Sequence, residues 1–448
     1  MKKENLLTIL ILAGLVGGVL FGQYAIFDAA QSKQALAQAA QPFQTAGELI
    51  FIRPLRLLIV PLVFVSVVTG VTSIGNPSKL GLVGGATMVY FLGTTLAAVV
   101  LGLLIASVVQ PGSGVDPASL QITAQADYQS EVAQKVATGP AGIGNAFISL
   151  AQDMVPPNIL RAAADNNVLA VVVFAIALGI ALSIAGKAAE PAVAVLDALL
   201  AALMKIVGWV MWLAPAGVFL IVAARVGVAG LSSLVGPLGV YILCVVGGLL
   251  IHLLVVLPAV LLLFGRTDPY RFLWQIRRVI LTAFSTASSS ATLPVTIETC
   301  RTQGGCSKRA ATFVPALGAT VNMNGTALYE AVAVLFLFQV FGIDLTIGQK
   351  LVILVTATLA AIGAPGIPGA GLVTMAIVIN AVNSSLAAMA PDARQLPLWT
   401  IGIIIGVDRF LDMCRTVLNV VGDCIGARIM SRLAPDEEEP QSTALTPA

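Results

Sequence analysis

Residues 401–423 read Ile401-Gly402-Ile403-Ile404-Ile405-Gly406-Val407-Asp408-Arg409-Phe410-Leu411-Asp412-Met413-Cys414-Arg415-Thr416-Val417-Leu418-Asn419-Val420-Val421-Gly422-Asp423. The run is mostly apolar and long enough to cross a bilayer as a helix. It nevertheless carries Asp408, Asp412, Arg415, Asn419 and Asp423. At 3.6 residues per turn these fall at about 0°, 40°, −20°, 20° and 60° around the axis, on one narrow stripe. A charge inside a bilayer costs kilocalories and normally faces a cavity or a partner. The stripe is therefore a candidate binding face, although a ladder of structural ion pairs to a neighbouring helix would use the same residues. Arg415 offers a planar fork for a carboxylate, and Asp412, one turn away, an acceptor for an ammonium group. Together they describe a zwitterion with a further acid, such as aspartate or glutamate.

The rest of the chain supports a membrane setting. Of its 448 residues 58% are hydrophobic and 10% charged, against about 45–50% and about 25% in soluble proteins, which excludes a soluble monomer. Apolar stretches predict eight crossings, at Leu6–Phe27, Leu49–Ile74, Gly84–Val109, Val168–Ala185, Val193–Ala224, Leu234–Phe264, Ala310–Phe341 and Leu398–Ile429. Two further blocks, Asp268–Gln303 and Gly348–Ala388, are apolar yet broken at their centres. The breaks are Ser288-Ser289-Ser290-Ala291-Thr292-Leu293-Pro294 and Gly363-Ala364-Pro365-Gly366-Ile367-Pro368-Gly369-Ala370-Gly371. Non-helical backbone at membrane depth survives only where protein buries it or where it lines a wet cavity. Two broken segments thus point to a site between them; one kinked crossing each is the alternative. With both blocks re-entrant and the N-terminus inside, the inner connections collect 13 of the 24 basic residues, from Lys2 and Lys3 to Arg428 and Arg432, and the outer side six. That bias favours two hairpins opening on opposite sides. The expected fold is an all-α polytopic membrane protein with eight transmembrane helices and two re-entrant helical hairpins.

The polar insertion from Pro111 to Asn167 falls on the outer side as a surface loop, and the end from Asp436-Glu437-Glu438-Glu439 to Ala448 reads as a solvated, disordered tail. Five cysteines, odd in number and without CxxC spacing, argue against a disulfide framework or a zinc site. The start, Met1-Lys2-Lys3 before an apolar run, is read as a retained first helix because many spans follow and no cleavage site stands out. A net charge of +2 points to no nucleic-acid partner.

A second polar run, Thr320-Val321-Asn322-Met323-Asn324-Gly325-Thr326, interrupts the seventh span. Glycine weakens a helix and lets carbonyls turn inward, and amide, hydroxyl and carbonyl oxygens suit a hard cation such as Na⁺, with Asp423 supplying charge. Gluing helices together is the competing use of these side chains. The triple serine offers hydroxyls and free amides to an anion. An intramembrane hydrolase lacks parts, since there is no GxSxG and the single histidine, His252, lies in a distant span. A channel could also use carbonyl-lined broken helices.

Four motifs carry a family resemblance: SSSATLP at Ser288–Pro294, NMNGT at Asn322–Thr326, GIPGAG at Gly366–Gly371, and DMCRT at Asp412–Thr416, leading to Asn419 and Asp423. They resemble those of the dicarboxylate/amino acid:cation symporters, which include archaeal aspartate transporters and animal excitatory amino acid transporters. The resemblance runs from the first helix to about Leu433. It implies a homotrimer with an elevator-type transporter fold. Residues 1–83 and 111–232, the latter including the outer loop, would form a scaffold; 84–110 and 233–434 would form a transport domain, and 435–448 a cytoplasmic tail. By position it implies substrate contacts at Ser288, Ser289, Thr326, Ile367, Gly371, Asp412, Arg415, Thr416 and Asn419, with Arg415 on the side-chain carboxylate and Asp412 on the amino group. One sodium ion would use Gly318, Asn322, Asn419 and Asp423. A second would lie near Thr320 and the carbonyls from Ala361 to Ala364, and a third by Thr94, Thr95, Asn322 and Asn324.

The expected function is import of aspartate or glutamate coupled to two or three sodium ions, in a bacterial inner membrane with both termini inside. Proton coupling or a C4-dicarboxylate substrate is the alternative. Four departures from the family bear on this. Asn324 stands where Asp is usual, and Phe91 where Tyr is frequent. Ala287 replaces an arginine of archaeal members, with no substitute at Met413. Pro365 stiffens the expected outer gate.

Overall fold

The computed structural model describes residues 3–436 apart from 29, 75–76, 114, 116–124, 126–127, 130–131, 139–147, 149–150, 153, 166, 230–237, 363–365, 367–368 and 390–393. The described residues are helical with connecting turns, and no strand occurs among them. Seven helical runs are long and apolar enough to cross a membrane, from Ile9–Ile26 to Ala370–Ala388. The last helix falls outside that set because its charges lower its hydropathy.

One group of helices is built on the N-terminal half. Helix α1 (Lys3–Phe21) packs along α7 (Ala214–Ala229), as does α2 (Lys33–Gly47). Helix α2 runs through the π-helical turn Glu48–Ile52 into α3 (Arg53–Ile74), so the second span begins well before Leu49. Helix α4 (Pro77–Val109) follows in the chain but packs with the second group of helices. Then α3 receives α5 (Val168–Ala185) and α6 (Glu190–Met211) on its flanks. Small residues let these backbones approach, as in other membrane bundles: a Cβ on Gly217 would stand 2.2 Å from the Phe51 Cβ. The expected single span Val193–Ala224 is corrected to two helices, because a turn at Trp212 and Leu213 separates α6 from α7.

The other group surrounds a buried axis. Helix α8 (Gly239–Ile251) continues through further helical turns to Gly265 and ends at Arg266, which has a left-handed φ of 45°. Both broken blocks fold back on themselves. In the first, α9 (Pro269–Gln275) and α10 (Arg277–Thr286) lead to a turn at Ala287, and α11 (Ser289–Thr302) returns against α10. Ser288 ends that turn by accepting the Ala291 amide on its hydroxyl, an N-cap. In the second, α14 (Ile347–Ile362) pairs with α15 (Ala370–Met389).

Between them the seventh span is corrected to two helices, α12 (Lys308–Val321) and α13 (Asn324–Val340), since Asn322 and Met323 leave helical geometry. Within α13 every residue except Gln339 is buried, enclosed by α4, α14 and α16 (Gly402–Met430). Large side chains on the outer helices are exposed instead, among them Val108 and Leu243, as a lipid-facing surface requires. The charged stripe of α16 therefore points at the break in the seventh span and at both hairpin tips.

Candidate functional site

The stripe closes on itself before it meets anything else. Arg415, 1% exposed, donates from Nε to Asp412 Oδ1 at 2.9 Å and from Nη1 to Asp408 Oδ1 at 3.1 Å. Its guanidinium lies over the Tyr329 ring, 4.3 Å from the centroid, and the Tyr329 hydroxyl donates to the same Asp408 oxygen at 2.7 Å. The family-based expectation gave Arg415 a free fork; in the structure two protein carboxylates already hold it. A guanidinium has five N–H donors, so donors remain for a further acid. Removing one partner of a buried pair leaves an uncompensated charge worth about 3–5 kcal/mol, and the three side chains stand or fall together.

A cavity of about 20 Å³ lies against this pair, space for about one water-sized group. Seven of the nine expected substrate residues line it: Ser289, Thr326, Gly371, Asp412, Arg415, Thr416 and Asn419. Ala287, Met323, Gly366 and Ala370 complete the wall. Ser288 does not line it, because its hydroxyl donates to the Gly366 carbonyl at 2.6 Å. Ile367 lies outside the described residues. The Ser290 amide reaches the same Gly366 oxygen at 3.3 Å, so the hairpin tips are clasped over the cavity. The Gly369 amide donates to Asp412 Oδ2 at 3.0 Å, a further tie between the second hairpin and α16. An amino acid needs more room than this cavity offers, and the second hairpin is the wall that ties down through Gly366 and Gly369.

One turn along α16 a second set of oxygens gathers. Asn419 Oδ1 accepts the Gly325 amide at 2.7 Å, while Asn322 Nδ2 donates to the Asn419 carbonyl at 3.0 Å and to Asp423 Oδ1 at 2.8 Å. Asn322 Oδ1 is buried with no hydrogen-bond donor. An orphaned amide oxygen costs about 1–3 kcal/mol, and beside a carboxylate it fits a hard cation as its missing partner. Gly318 is required here: a Cβ would stand 2.1 Å from Asp423 Oδ1 and 3.0 Å from the Phe91 ring. Phe91 thus faces this region without a hydroxyl, whereas Tyr90 turns away and donates to the Gly422 carbonyl at 2.8 Å.

The other expected cation ligands are less committed. Thr95 donates to Asn324 Oδ1 at 2.6 Å, which leaves Asn324 Nδ2 buried without an acceptor; an N–H there repels a cation. The Thr94 hydroxyl donates back to the Tyr90 carbonyl and the Thr320 hydroxyl to the Leu317 carbonyl. Ala361 is buried at the end of α14, and Ala364, like Pro365, lies outside the described residues. Among the described residues no cluster of three His, Cys, Asp or Glu side chains forms a metal site.

Tyr329 and Glu330 were not among the residues read from the sequence. Glu330 is fully buried; Thr374 of the second hairpin donates to its Oε1, and its Oε2 has no partner. The signal was available, since an acid in the middle of an apolar helix carries the same meaning as Asp408.

Comparison with known proteins places this geometry. A sodium:dicarboxylate symporter family model matches residues 7–433. The human neutral amino acid transporter B(0) is 35% identical, over 98% of this chain and 82% of its own length. A putative sodium-dependent excitatory amino acid transporter, glt-4, of Caenorhabditis elegans is 33% identical, covering 98% and 91%. Excitatory amino acid transporter 1 of Ambystoma tigrinum is 31% identical, covering 98% and 84%. Clasped hairpin tips, a buried arginine between two aspartates and an orphaned oxygen set therefore sit in a membrane transporter, not an enzyme: the chain belongs to the sodium:dicarboxylate symporter family.

Proposed function

We propose that this protein imports acidic amino acids, aspartate or glutamate, together with sodium ions. The observation that carries the reading is Arg415. It is buried at the wall of the cavity, and a Cβ on Gly371 of the second hairpin would lie 3.1 Å from its Nη1. A neutral substrate would leave its unused donors facing a closed, nearly dry space, whereas a side-chain carboxylate satisfies them. Relatives named for neutral and for excitatory amino acids are both similar to this chain, so the side chains at the cavity decide. Asp412 gives the amino group its acceptor, which disfavours a simple C4-dicarboxylate. Ser289, Thr326, Thr416 and Asn419 supply the remaining polar contacts.

The orphaned Asn322 oxygen beside Asp423 supports one sodium position; a second, near Thr320 and Ala361, rests on the motif resemblance alone. The N–H of Asn324 argues against a strong third, so two ions per cycle is the preferred count. Eight crossings with two re-entrant hairpins, a homotrimer, an elevator movement and a bacterial inner membrane location belong to the same proposal. It is supported by the division of the helices into two packed groups and by the motif resemblance.

A second reading, coupling to protons, rests on Glu330, whose second oxygen has no partner and whose first is tied to the hairpin at Thr374. Uptake into proteoliposomes with independently set Na⁺ and H⁺ gradients separates the two. Aspartate accumulation that collapses when choline replaces sodium supports the first; accumulation driven by a pH gradient alone supports the second. Arg415→Ala is expected to abolish aspartate and glutamate uptake, and unchanged uptake in that variant refutes the acidic assignment. Succinate competing as strongly as aspartate refutes the role of Asp412.

A further inference from the structure

At the C-terminal end of α16, away from the substrate cavity at the middle of that helix, lies a larger pocket, of about 570 Å³, to which the transport reading gives no role. Three helix ends meet there: α8 at Gly265 and Arg266, α12 at its cap Ser307, and α16 at Arg428, Ser431 and Arg432. Its charges are unbalanced, with three guanidinium groups against one carboxylate, Asp436.

Two of the arginines are partly anchored, which fixes where their free donors point. Arg428 donates from Nε to Thr267 Oγ1 at 3.1 Å and from Nη1 to the Gly305 carbonyl; Arg432 donates to the Phe264 carbonyl at 2.7 Å. Arg266 is exposed. The pocket already shows what it accepts: Asp436 Oδ1 takes the Lys308 amide in the first turn of α12 at 2.8 Å. The Lys308 and Ala310 amides are taken by Asp436 and Ser307, so it is the guanidinium groups lining the pocket that suit an anion with several oxygens, a phosphate above all.

The neighbourhood fixes the depth. Leu262, Leu263 and Phe264, just before Arg266, are 57%, 70% and 63% exposed, and Tyr270 and Trp274, just after it, 62% and 69%. Exposed Leu and Phe side chains that give way to exposed Tyr and Trp mark the boundary between hydrocarbon and headgroups. Basic pockets between spans at that level hold lipid phosphates.

We infer that this pocket is a phosphate-binding site at the membrane surface, filled by an anionic lipid headgroup or by free phosphate. Native mass spectrometry of the full chain, released from vesicles of equal phosphatidylglycerol and phosphatidylcholine, reads the lipid source. Thermal unfolding in lipid-free detergent with millimolar inorganic phosphate reads the soluble one. The tested variant is Arg266→Gln with Arg432→Gln, which spares the Arg428 anchor; Arg271→Gln, outside the pocket, is the control. Phosphatidylglycerol is expected to be retained over phosphatidylcholine, with about a tenfold loss of that preference in the double variant and none in the control. A rise in unfolding midpoint with phosphate, lost only in the double variant, assigns the site to the free anion. Equal retention of the two lipids with no phosphate effect overturns the inference, as does the same loss from Arg271→Gln.

Discussion

Substituting Gly318→Ala tests the cation site without touching a ligand side chain. The added methyl would stand 2.1 Å from Asp423 Oδ1 and 3.0 Å from the Phe91 Cζ, well inside contact distance, on a helix most of whose residues are buried. The carboxylate must move by about an ångström or more, and the 2.8 Å bond from Asn322 Nδ2 breaks. A hydrogen bond to a charged group contributes about 1.5–3 kcal/mol, and about 1.4 kcal/mol is tenfold in affinity. The sodium concentration for half-maximal aspartate uptake should therefore rise about 10- to 100-fold. The assay is initial uptake into proteoliposomes against external sodium, with the unfolding midpoint in detergent showing that the variant is folded. Gly93→Ala, a helical glycine with open space around it, should leave the sodium dependence unchanged. A folded Gly318→Ala protein with the sodium dependence of the parent would refute the assignment of Asp423 and Asn322 to the cation.

Three further outcomes are expected. Asn324→Asp replaces an unpartnered N–H with an anionic oxygen beside Thr95, and the sodium dependence of uptake should become steeper, read as a higher Hill coefficient. Tyr329→Phe removes the 2.7 Å bond to Asp408 and should lower unfolding stability by about 1–3 kcal/mol, measured by denaturation in detergent. Gly366→Ala places a methyl 2.4 Å from the Ala319 carbonyl oxygen and 2.6 Å from Ser290 Oγ; the hairpin tips can no longer meet, and uptake should fall at least about tenfold while the protein remains assembled.

Much of the site was legible in the sequence for one reason. Charge is scarce in an apolar chain, so helical periodicity alone puts Asp408, Asp412, Arg415, Asn419 and Asp423 on one face, and the structure keeps them there. Asn322 was legible because an amide inside an apolar span has few reasons to exist. What periodicity does not encode is the direction of a long side chain. Arg415 reaches one turn back to Asp412 and two turns back to Asp408, a choice fixed by the Tyr329 ring from another helix. The clasp between Ser288 and Gly366 spans 78 residues of chain, and no local pattern marks it. The turn at Trp212 and Leu213 escaped because an apolar run stays apolar through a break; the signal was Pro215, in the first turn of α7, where proline favours a helix start.

If the second hairpin is the outer gate that the family resemblance implies, the clasp also sets how the transporter trades sealing against affinity. Two hydrogen bonds onto one carbonyl, from Ser288 Oγ and the Ser290 amide, contribute about 1–3 kcal/mol together. A gate held by these two bonds alone would be open in about 15% of molecules at the weak end and about 0.6% at the strong end. Only the open fraction would then admit substrate, so the apparent dissociation constant would exceed that of the open site by the inverse of the fraction, about sixfold to about 160-fold. Modest tightness of binding, measured on this protein, would then describe the latch as much as the pocket.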